Sequence, residues 1–370
     1  MGAGLLAAPS VLAQDSIETR RAAVRIETVA KGLENPWGLA FLPDGRMLVT
    51  ERPGRLRVVS ARGEPSQPLR GLPQIRGRGQ GGLLDVALDP NFAENRFVYL
   101  SFAEPRDGGA ATSVARGRLN EAGTGLDRTE VVFRQEPAHT GPNHFGSRLV
   151  FDRAGALFVT VGDRYDLRDQ AQNLGNHLGK ILRIRPEGGP APGNPFVGQE
   201  GKRPEIWSVG HRNVQGAALN PATGELWTAE HGARGGDEIN IPRSGRNYGW
   251  PVITYGRDYS GAKIGIGTAK EGMEQPIHYW DPSIAPSGMA FYTGDRLPEW
   301  RGDVFVGALA GSHVTRLRFE GEKLVEEERL FETLGERIRD VRQGPYGFLY
   351  LLTDSEQGRI LRVRPAANRG

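Results

Sequence analysis

Cysteine is absent from the chain, and so is any concentration of charge of one sign. Without thiols, disulfides, thiolate catalysis and zinc–thiolate sites are excluded. The 47 basic residues nearly cancel the 44 acidic ones, and the formal net charge is +3. Because a nucleic-acid surface needs a concentrated basic stripe, the sequence predicts no nucleic-acid partner. No later segment approaches the run of about 18 apolar residues that a membrane-spanning helix needs, so no membrane insertion is expected.

Helix signals are scarce as well. No amphipathic pattern of about 12 or more residues appears, and no glycine-rich turn leads from a strand into a helix, so a nucleotide-binding fingerprint is missing. Turn formers are plentiful instead, since the 370 residues include 52 glycines and 25 prolines. With 38% hydrophobic residues the chain can fill a core. This composition favours many short strands joined by tight turns.

The first residues differ from the rest of the chain. Residues 1–14 are small and apolar, and Val11-Leu12-Ala13 resembles a signal-peptide cleavage site. A disordered tail is the alternative interpretation. We expect residues 1–20 to be a signal-peptide remnant and disordered N-terminus outside the fold, and the mature protein to be periplasmic or secreted. The lack of cysteine is compatible with an oxidising compartment.

One pattern recurs six times along the chain. A small residue precedes a short apolar run, a turn follows, and a second β-rich run completes the unit. The copies begin at Trp37, Leu84, Ser147, Gly216, Ser287 and Arg339. Such a repeat predicts an all-β fold: a six-bladed β-propeller of four-stranded antiparallel blades, formed by residues 21–367 as a single domain.

The repeats are longer than bare blades. Apolar anchors of the first five copies lie 47 to 72 residues apart, whereas a compact blade takes about 40–45. The excess predicts long loops between strands, which build the site on one face of a propeller. Residues 23–29 alternate at period two, and we expect them to pair with the C-terminal blade and close the ring.

A histidine and an aspartate stand at two strand ends of the third repeat. His144 precedes the first strand and Asp163 ends the second. Adjacent antiparallel strands bring these two ends to the same face. A carboxylate that accepts one imidazole N–H fixes the tautomer and leaves the other nitrogen as a base. The pair is therefore a candidate for general-base catalysis; a capped loop histidine is the alternative.

Arginines and an amide cluster before two later repeats. Arg212 and Asn213 precede the fourth repeat, and Arg337 and Arg339 introduce the sixth. At positions i and i+2 of an extended chain, the last two side chains point to one face. Guanidinium groups in that arrangement can hold carboxylates through paired hydrogen bonds. Ordinary surface charge would produce the same pattern.

The segment 230–240 is polar and rich in glycine. Its carbonyls can turn inward, and Asp237 and Glu238 add hard oxygen ligands, which suits calcium. The spacing is not that of an EF-hand. A plain acidic hairpin is the alternative interpretation.

Taken together, these segments resemble the soluble glucose and aldose sugar dehydrogenases that use pyrroloquinoline quinone (PQQ). The similarity runs in the same order from about residue 33 to 363. The matching motifs are Gly79-Gln80-Gly81-Gly82-Leu83-Leu84, His144 with Gly146-Ser147-Arg148-Leu149, Gly210-His211-Arg212-Asn213, Glu230-His231-Gly232, Gly236-Asp237-Glu238-Ile239-Asn240, Asn247-Tyr248-Gly249-Trp250-Pro251 and Arg337-Ile338-Arg339-Asp340-Val341. The length of the inserts is more similar to that of the compact aldose sugar dehydrogenase branch than to that of the larger glucose dehydrogenase branch.

The resemblance implies a six-bladed propeller that oxidises an aldose sugar at C1 to a lactone, with hydride transfer to PQQ, Ca2+ as Lewis acid and an external electron acceptor. It implies that His144 is the general base and that Asp163 orients it. The implied PQQ contacts are Gln80, Arg212, Asn213, Arg337 and Arg339. The implied calcium ligands are the carbonyls of Gly232 and Ala233 for one ion, and the Glu238 carboxylate with the Tyr248 carbonyl for a second.

Three positions depart from the family pattern. Ala310 stands where the family has a lysine that contacts the cofactor, and Asn143 stands where an acidic residue often precedes the catalytic histidine. Trp280 is the nearest match to the aromatic residue that packs on the sugar, with its spacing off by one.

Two other functions use the same kind of fold. A calcium-dependent propeller lactonase would need acidic side chains converging on the axis, whereas the candidate axial residues are mostly Arg, Gln, Asn and His. A non-catalytic extracellular recognition propeller would keep the blades without needing His144. The resemblance favours the dehydrogenase.

Overall fold

The computed structural model describes residues 16–366, which form six antiparallel sheets. Two N-terminal strands, β1 and β2, span Ile17–Glu18 and Ala23–Leu33. The first blade contains β3 (Pro36–Phe41), β4 (Met47–Glu51) and β5 (Arg55–Val59). The second contains β6 (Leu83–Leu88), β7 (Phe97–Arg106), β8 (Gly109–Leu119) and β9 (Leu126–Arg134). The third contains β10 (Leu149–Phe151), β11 (Leu157–Val161), β12 (Lys180–Ile184) and β13 (Ile206–Val209).

The remaining blades follow the same order from the inside outward. The fourth contains β14 (Val214–Leu219), β15 (Leu226–Glu230), β16 (Asp237–Asn240) and β17 (His278–Trp280). The fifth contains β18 (Pro286–Phe291), β19 (Val304–Ala308), β20 (His313–Glu320) and β21 (Lys323–Leu330). The sixth contains β22 (Ile338–Gln343), β23 (Leu349–Thr353) and β24 (Gly358–Pro365), followed outward by β2 and β1.

The first strands of the six blades contact one another in cyclic order around an axis. The predicted six-bladed β-propeller is therefore confirmed. The first blade has three strands, and its outer edge is an extended segment in which Ser66 and Leu69 donate backbone hydrogen bonds of 2.8 Å to β5.

The N-terminal strand closes the ring, as its alternating pattern predicts. β2 pairs antiparallel with β24, and Ile26 lies opposite Val363. Ile17 and Glu18, which lie within the N-terminal segment 1–20 expected to be outside the fold, pair with β2. The signal-peptide prediction rests on residues 1–14, which lie outside the described residues.

The hydrophobic core is divided into layers between blades. One buried cluster lies at each of the six blade interfaces, including the closing interface between the sixth and first blades. Buried hydroxyl groups add hydrogen bonds across these interfaces: Ser101 donates to the Ser147 carbonyl at 2.6 Å, and Thr160 donates to the Val214 carbonyl at 2.9 Å. These layers fix the angle between blades and thereby the loops on each face.

Four charged side chains form a closed ring at the axis, which we call the axial charge ring. Arg148 contacts Asp85 at 3.1 Å and Asp340 at 3.0 Å. Arg342 contacts the same two carboxylates at 2.7 and 2.8 Å. The ring joins the second, third and sixth blades and carries no net charge.

Helices are few and short in the described part of the chain. One α-helical turn spans Phe92–Asn95, and 3₁₀ turns span Arg168–Gln172, Pro298–Trp300 and Glu332–Leu334. Within residues 16–366, no helix has the length and apolar character needed to cross a membrane.

Candidate active site

The candidate residues gather at one end of the propeller because of strand direction. In each blade the start of the first strand lies beside the end of the second, as in the pairs Val214–Glu230 and Ile338–Thr353. His144 and Arg212 precede first strands, whereas Asp163 follows a second strand. Antiparallel pairing therefore places them on the same face.

His144 and Asp163 form a buried pair, as predicted. The His144 Nδ1 atom lies 2.6 Å from Asp163 Oδ1, and both side chains are buried. Gly162 permits this approach, since a Cβ atom there would collide with the carbonyl group of His144. The second carboxylate oxygen of Asp163 accepts a 2.8 Å hydrogen bond from Trp250 Nε1. Both partners thus fix the carboxylate that orients the imidazole.

Burial and the neighbouring charges together determine the protonation of this pair. It lowers the pKa of His144 below its ordinary value, although the hydrogen bond to Asp163 acts in the opposite direction; the Arg212 charge adds to the lowering. For Asp163, burial alone would raise the pKa, but the His144 contact and the Arg212 charge bring the pKa below its ordinary value. A neutral imidazole beside a carboxylate is the state required of a general base.

An outer cleft of about 370 Å³ opens above this pair. Aromatic and charged side chains make up most of its lining. Its lining residues are His144, Asp163, Tyr165, Asp166, Arg168, Asp169, Arg212, Ala233, Trp250, Asp258, Tyr259 and Ile264. A cleft of this size, lined by both aromatic and charged side chains, suits a small polar molecule with apolar faces.

A second space, the inner cavity, has a volume of about 290 Å³. Its lining residues are Trp37, Arg52, Gln80, Gln215, His231, Ala285, Leu309, Arg337, Arg339 and Asp354. The lining thus contains three guanidinium groups and a single carboxylate, that of Asp354. Gln80 connects the two spaces, because its Oε1 atom accepts a 2.9 Å hydrogen bond from the His144 backbone N–H.

The predicted arginine pair faces the inner cavity on one side of its strand. Arg337 Nη2 and Arg339 Nη2 each lie 3.1 Å from the same Asp354 oxygen. Burial raises the pKa of Asp354, but the two guanidinium groups bring it below its ordinary value. Among the described residues, the Nε atoms of Arg339 and Arg52 are buried without a hydrogen-bond partner. The cavity therefore offers donors and positive charge to an anion.

Three of the residues expected to bind calcium line a small third cavity. These are Gly232, Glu238 and Tyr248, which lie there with Glu230 and His231. Burial and the neighbouring Glu230 charge raise the pKa of Glu238 above its ordinary value. The Asn240 amide donates to both carboxylates, at 2.9 and 3.0 Å. Two carboxylates therefore lie close together in a space that the Arg212 guanidinium group also lines.

Other expected positions have different surroundings. Ala233 lines the outer cleft, and the Gly232 carbonyl accepts a hydrogen bond from Arg212. The Asn213 side chain is buried and accepts a 3.0 Å hydrogen bond from the Gly146 backbone N–H, which braces the loop after His144. Within residues 16–366, no cluster of three or more His, Cys, Asp or Glu side chains is arranged to hold a metal ion.

Trp280, the nearest sequence match to the aromatic residue that packs on the sugar, does not line the outer cleft. Trp280 belongs to the buried layer between the fourth and fifth blades, and its Nε1 atom donates to Glu327 at 2.8 Å. Tyr165, Trp250 and Tyr259 line the cleft instead. Ala310 does not line the inner cavity, whereas its neighbour Leu309 does.

Sequence reasoning missed Arg52, Asp354 and the tyrosines. The sequence does contain a signal for Asp354. In four blades, an acidic residue ends the second strand or follows it within two residues. These residues are Glu51, Asp163, Glu230 and Asp354. The tyrosines lie in long loops without such a repeat.

Known proteins have this fold and are similar to this chain over most of its length. The family model described as glucose/sorbosone dehydrogenase matches residues 33–362. The chain is 46% identical over 361 residues to aldose sugar dehydrogenase YliI of Escherichia coli (strain K12), covering 96% of this chain and 97% of that protein. The chain therefore belongs to the glucose/sorbosone dehydrogenase family, and the resemblance seen in the sequence is confirmed.

Solved structures agree with this assignment. A glucose dehydrogenase is similar at a TM-score of 0.89 and 52% identity, with coverage of 91% of this chain and 98% of that one. The PQQ-bound form of an aldose sugar dehydrogenase from Streptomyces coelicolor is similar at a TM-score of 0.77 and 30% identity, with coverage of 93% and 98%.

Proposed function

We propose that the protein oxidises aldose sugars at C1 to lactones, with PQQ as hydride acceptor and Ca2+ as Lewis acid. The observation that carries the proposal is the position of the buried His144–Asp163 pair, which lines an open cleft and is joined through Gln80 to a cationic cavity. The names of its relatives support it, since one is an aldose sugar dehydrogenase and another was solved in a PQQ-bound form.

The inner cavity fits PQQ, which carries three carboxylates. Arg52, Arg337 and Arg339 outnumber Asp354, and two of their Nε donors are buried without a partner among the described residues. Charge-assisted contacts to carboxylates are the strong kind of hydrogen bond. We assign Gln80, Arg212, Asn213, Arg337 and Arg339 to cofactor binding, with Asn213 acting through the loop that it braces. When bound, PQQ supplies the hydride acceptor, from which electrons leave to an external acceptor.

The small cavity fits a calcium ion. A nearby cation favours the ionised form of a buried carboxyl group such as that of Glu238, and calcium prefers carboxylate and carbonyl oxygens. In the described residues the Asn240 Oδ1 atom is buried without a hydrogen-bond partner. Glu238 and Tyr248 would hold one ion there. Gly232 and Ala233 would hold another through their carbonyls, for which Arg212 competes at Gly232. Calcium would supply Lewis acidity.

The chemistry of the proton follows from the geometry of the pair. With Nδ1 hydrogen-bonded to Asp163, the lone pair of His144 Nε2 is available to take the proton of the C1 hydroxyl group. Asp163 stabilises the imidazolium that results, and Trp250 holds Asp163 in place. The cleft admits the sugar on the side of His144.

The alternative lactonase has less support. Its metal would need acidic side chains at the axis, but Asp85 and Asp340 are each paired with both Arg148 and Arg342. These carboxylates are already neutralised by the axial charge ring.

Reconstitution tests the proposal directly. Purified protein with PQQ and Ca2+ should reduce a redox dye when glucose or another aldose is added, and His144→Asn should abolish this turnover while PQQ still binds. Omitting PQQ is the matched control. Sugar-independent dye reduction, or none with any aldose at saturating PQQ, would refute the function.

Export to the periplasm or medium is a further part of the proposal. It rests on the apolar character of residues 1–14 and on the lack of cysteine. Fractionation of cells producing the full chain would test it.

A further inference from the structure

Two tyrosines from different blades wall the outer cleft. Tyr165 belongs to the loop after β11, and Tyr259 belongs to the long loop between β16 and β17. Their exposed fractions are 41% and 56%, although both border the same cleft as His144. Their ring centroids lie 6.4 Å apart at an interplanar angle of 32°. The two rings therefore form one continuous wall with uncovered faces.

The backbone holds Tyr165 in an unfavourable conformation. Arg164 and Tyr165 both have positive φ angles, 61° and 67°, which residues with a side chain rarely adopt. Such strain persists only where surrounding contacts impose it, and it concentrates at functional sites. The ring of Tyr165 consequently stands edge-on to the His144 ring, at 5.2 Å and 82°.

Arg164 provides the contacts that impose this conformation. Its guanidinium group is buried 3.8 Å from the Phe145 ring. It donates to the carbonyls of Asn143 at 2.9 Å and Ala110 at 2.7 Å, and also to that of Gly141. Arg164 thereby joins the loop of Tyr165 to the loop that precedes His144.

A second set of contacts joins the two tyrosine loops. Arg168 Nη1 lies 3.3 Å from Asp258 Oδ2 across the cleft. The Arg212 Nη2 atom lies 3.5 Å from the Tyr259 hydroxyl group. Exposed ion pairs contribute little to stability; these contacts show that the loop of Tyr259 lies beside that of Tyr165.

We propose that Tyr165 and Tyr259 form the aromatic platform on which the sugar ring packs while its C1 hydroxyl group meets His144; this rests on the proposed function. The apolar C–H face of a pyranose fits an uncovered aromatic face, as at other sites that combine aromatic walls with a few polar groups. Asp166, Arg168 and Asp258 border the cleft and can take the ring hydroxyls. The platform comes from the third and fourth blades, and Trp280 has no part in it.

The test uses protein reconstituted with PQQ and Ca2+. In Tyr165→Ala and Tyr259→Ala, KM for glucose should rise about 2- to 12-fold, the range for losing one aromatic contact. Because the platform binds substrate and transition state alike, kcat should change less than about 2-fold. The Kd for PQQ should stay unchanged. Tyr165→Phe keeps the ring, and its KM should lie close to that of the unaltered protein.

Tyr346→Ala is the matched control. This tyrosine is also exposed, but it lies in the turn between β22 and β23, at the end of the blade opposite Arg337. Its KM should equal that of the unaltered protein. Saturation-transfer NMR of glucose on each variant adds a readout independent of turnover, and the sugar signal should weaken in both cleft variants but not in the control.

The outcomes separate the two proposals. An active enzyme with unchanged KM and unchanged sugar signal in both cleft variants would overturn the platform alone. A fall in kcat at constant KM would also overturn it, because the tyrosines would then act on the chemical step. Protein that neither oxidises nor binds any aldose would overturn the proposed function and the platform with it.

Discussion

At the residue scale, burial lowers the pKa of His144, so the imidazole stays neutral and can act as a base at mildly acidic pH. The protonated imidazole cannot accept a proton, so activity falls as pH drops through the His144 pKa. Because burial lowers this pKa despite the Asp163 contact, the acid limb of kcat/KM should lie below pH 6.5, the ordinary value for histidine. A pH profile of the reconstituted enzyme measures it, and a limb at or above 6.5 would contradict the argument.

Asp163→Asn extends the same argument. Losing the carboxylate removes the contact that raises the His144 pKa, so the acid limb should move further down. The rate should fall about 10²- to 10⁴-fold, because the tautomer is no longer fixed. His278→Asn is a matched control, since His278 contacts Glu327 at 3.3 Å on an outer strand and lines none of the three cavities. It should keep both rate and profile.

The arginines differ in exposure, and their contributions should differ accordingly. Arg339 is 9% exposed and Arg337 is 50% exposed, yet both contact Asp354. A charge-assisted contact contributes about 1.5–3 kcal/mol, so Arg339→Met should raise the Kd for PQQ about 10- to 150-fold. Solvent screens Arg337, and Arg337→Met should have a smaller effect. PQQ titrations decide it; equal Kd values in the unaltered protein and both variants would refute this cavity as the cofactor site.

The sequence could predict the residues that strand pairing brings together. His144, Asp163, Arg337 and Arg339 lie next to strand ends, and antiparallel pairing determines where they meet. It could not predict the aromatic wall, because Tyr165 is oriented by a strained backbone and by Arg164 contacts from another blade. Spacing in the sequence left the aromatic residue open, and its nearest match, Trp280, packs between blades.

At the scale of elements, periodicity predicted the blades and the closing strand. Residues 23–29 alternate, and β2 indeed pairs with β24. The outer edge of the first blade was not predictable, since residues 65–69 pair irregularly with β5. The loop 241–277 has no regular strand at all. Its path depends on contacts such as that between Trp250 and Asp163, which no local pattern encodes.

Calcium should stabilise the elements that build the small cavity. β16 supplies Glu238 and the following loop supplies Tyr248, so an ion held by both ties the loop to the blade. A ligand that binds the native state alone stabilises it, by about 2.7 kcal/mol at 100 times its Kd. Calcium should therefore raise Tm, and EDTA should lower it. Glu238→Gln should weaken this response at least about tenfold in calcium concentration, since it removes a charged ligand.

The control for that experiment is Glu187→Gln, which changes an exposed glutamate in the third blade. Its calcium titration should match that of the unaltered protein. Identical titration curves for Glu238→Gln and Glu187→Gln would show that calcium binds elsewhere or not at all.

At the scale of the whole molecule, six blades meet at one axis, where charged side chains rather than apolar ones connect three of the blades. Asp85, Arg148, Asp340 and Arg342 alternate in sign, so each group has two partners of opposite charge. Arg148 also lies 4.2 Å from the Trp37 ring and donates to the Gln215 carbonyl at 2.5 Å. Trp37 and Gln215 line the inner cavity. The axial charge ring therefore supports the cavity floor as well as the contact between blades.

Arg148→Met tests whether this ring holds the propeller together. Removing one member of a buried ion pair leaves uncompensated charge and typically costs about 3–5 kcal/mol. Asp85 and Asp340 would then share Arg342 alone, so the urea midpoint should fall clearly, and the Kd for PQQ should rise because Trp37 and Gln215 lose their support. Arg185→Met is the control: its ion pair with Glu187 is exposed and should contribute at most about 1 kcal/mol. If Arg148→Met unfolds at the same urea concentration as Arg185→Met, the ring does not join the blades, and packing between them suffices.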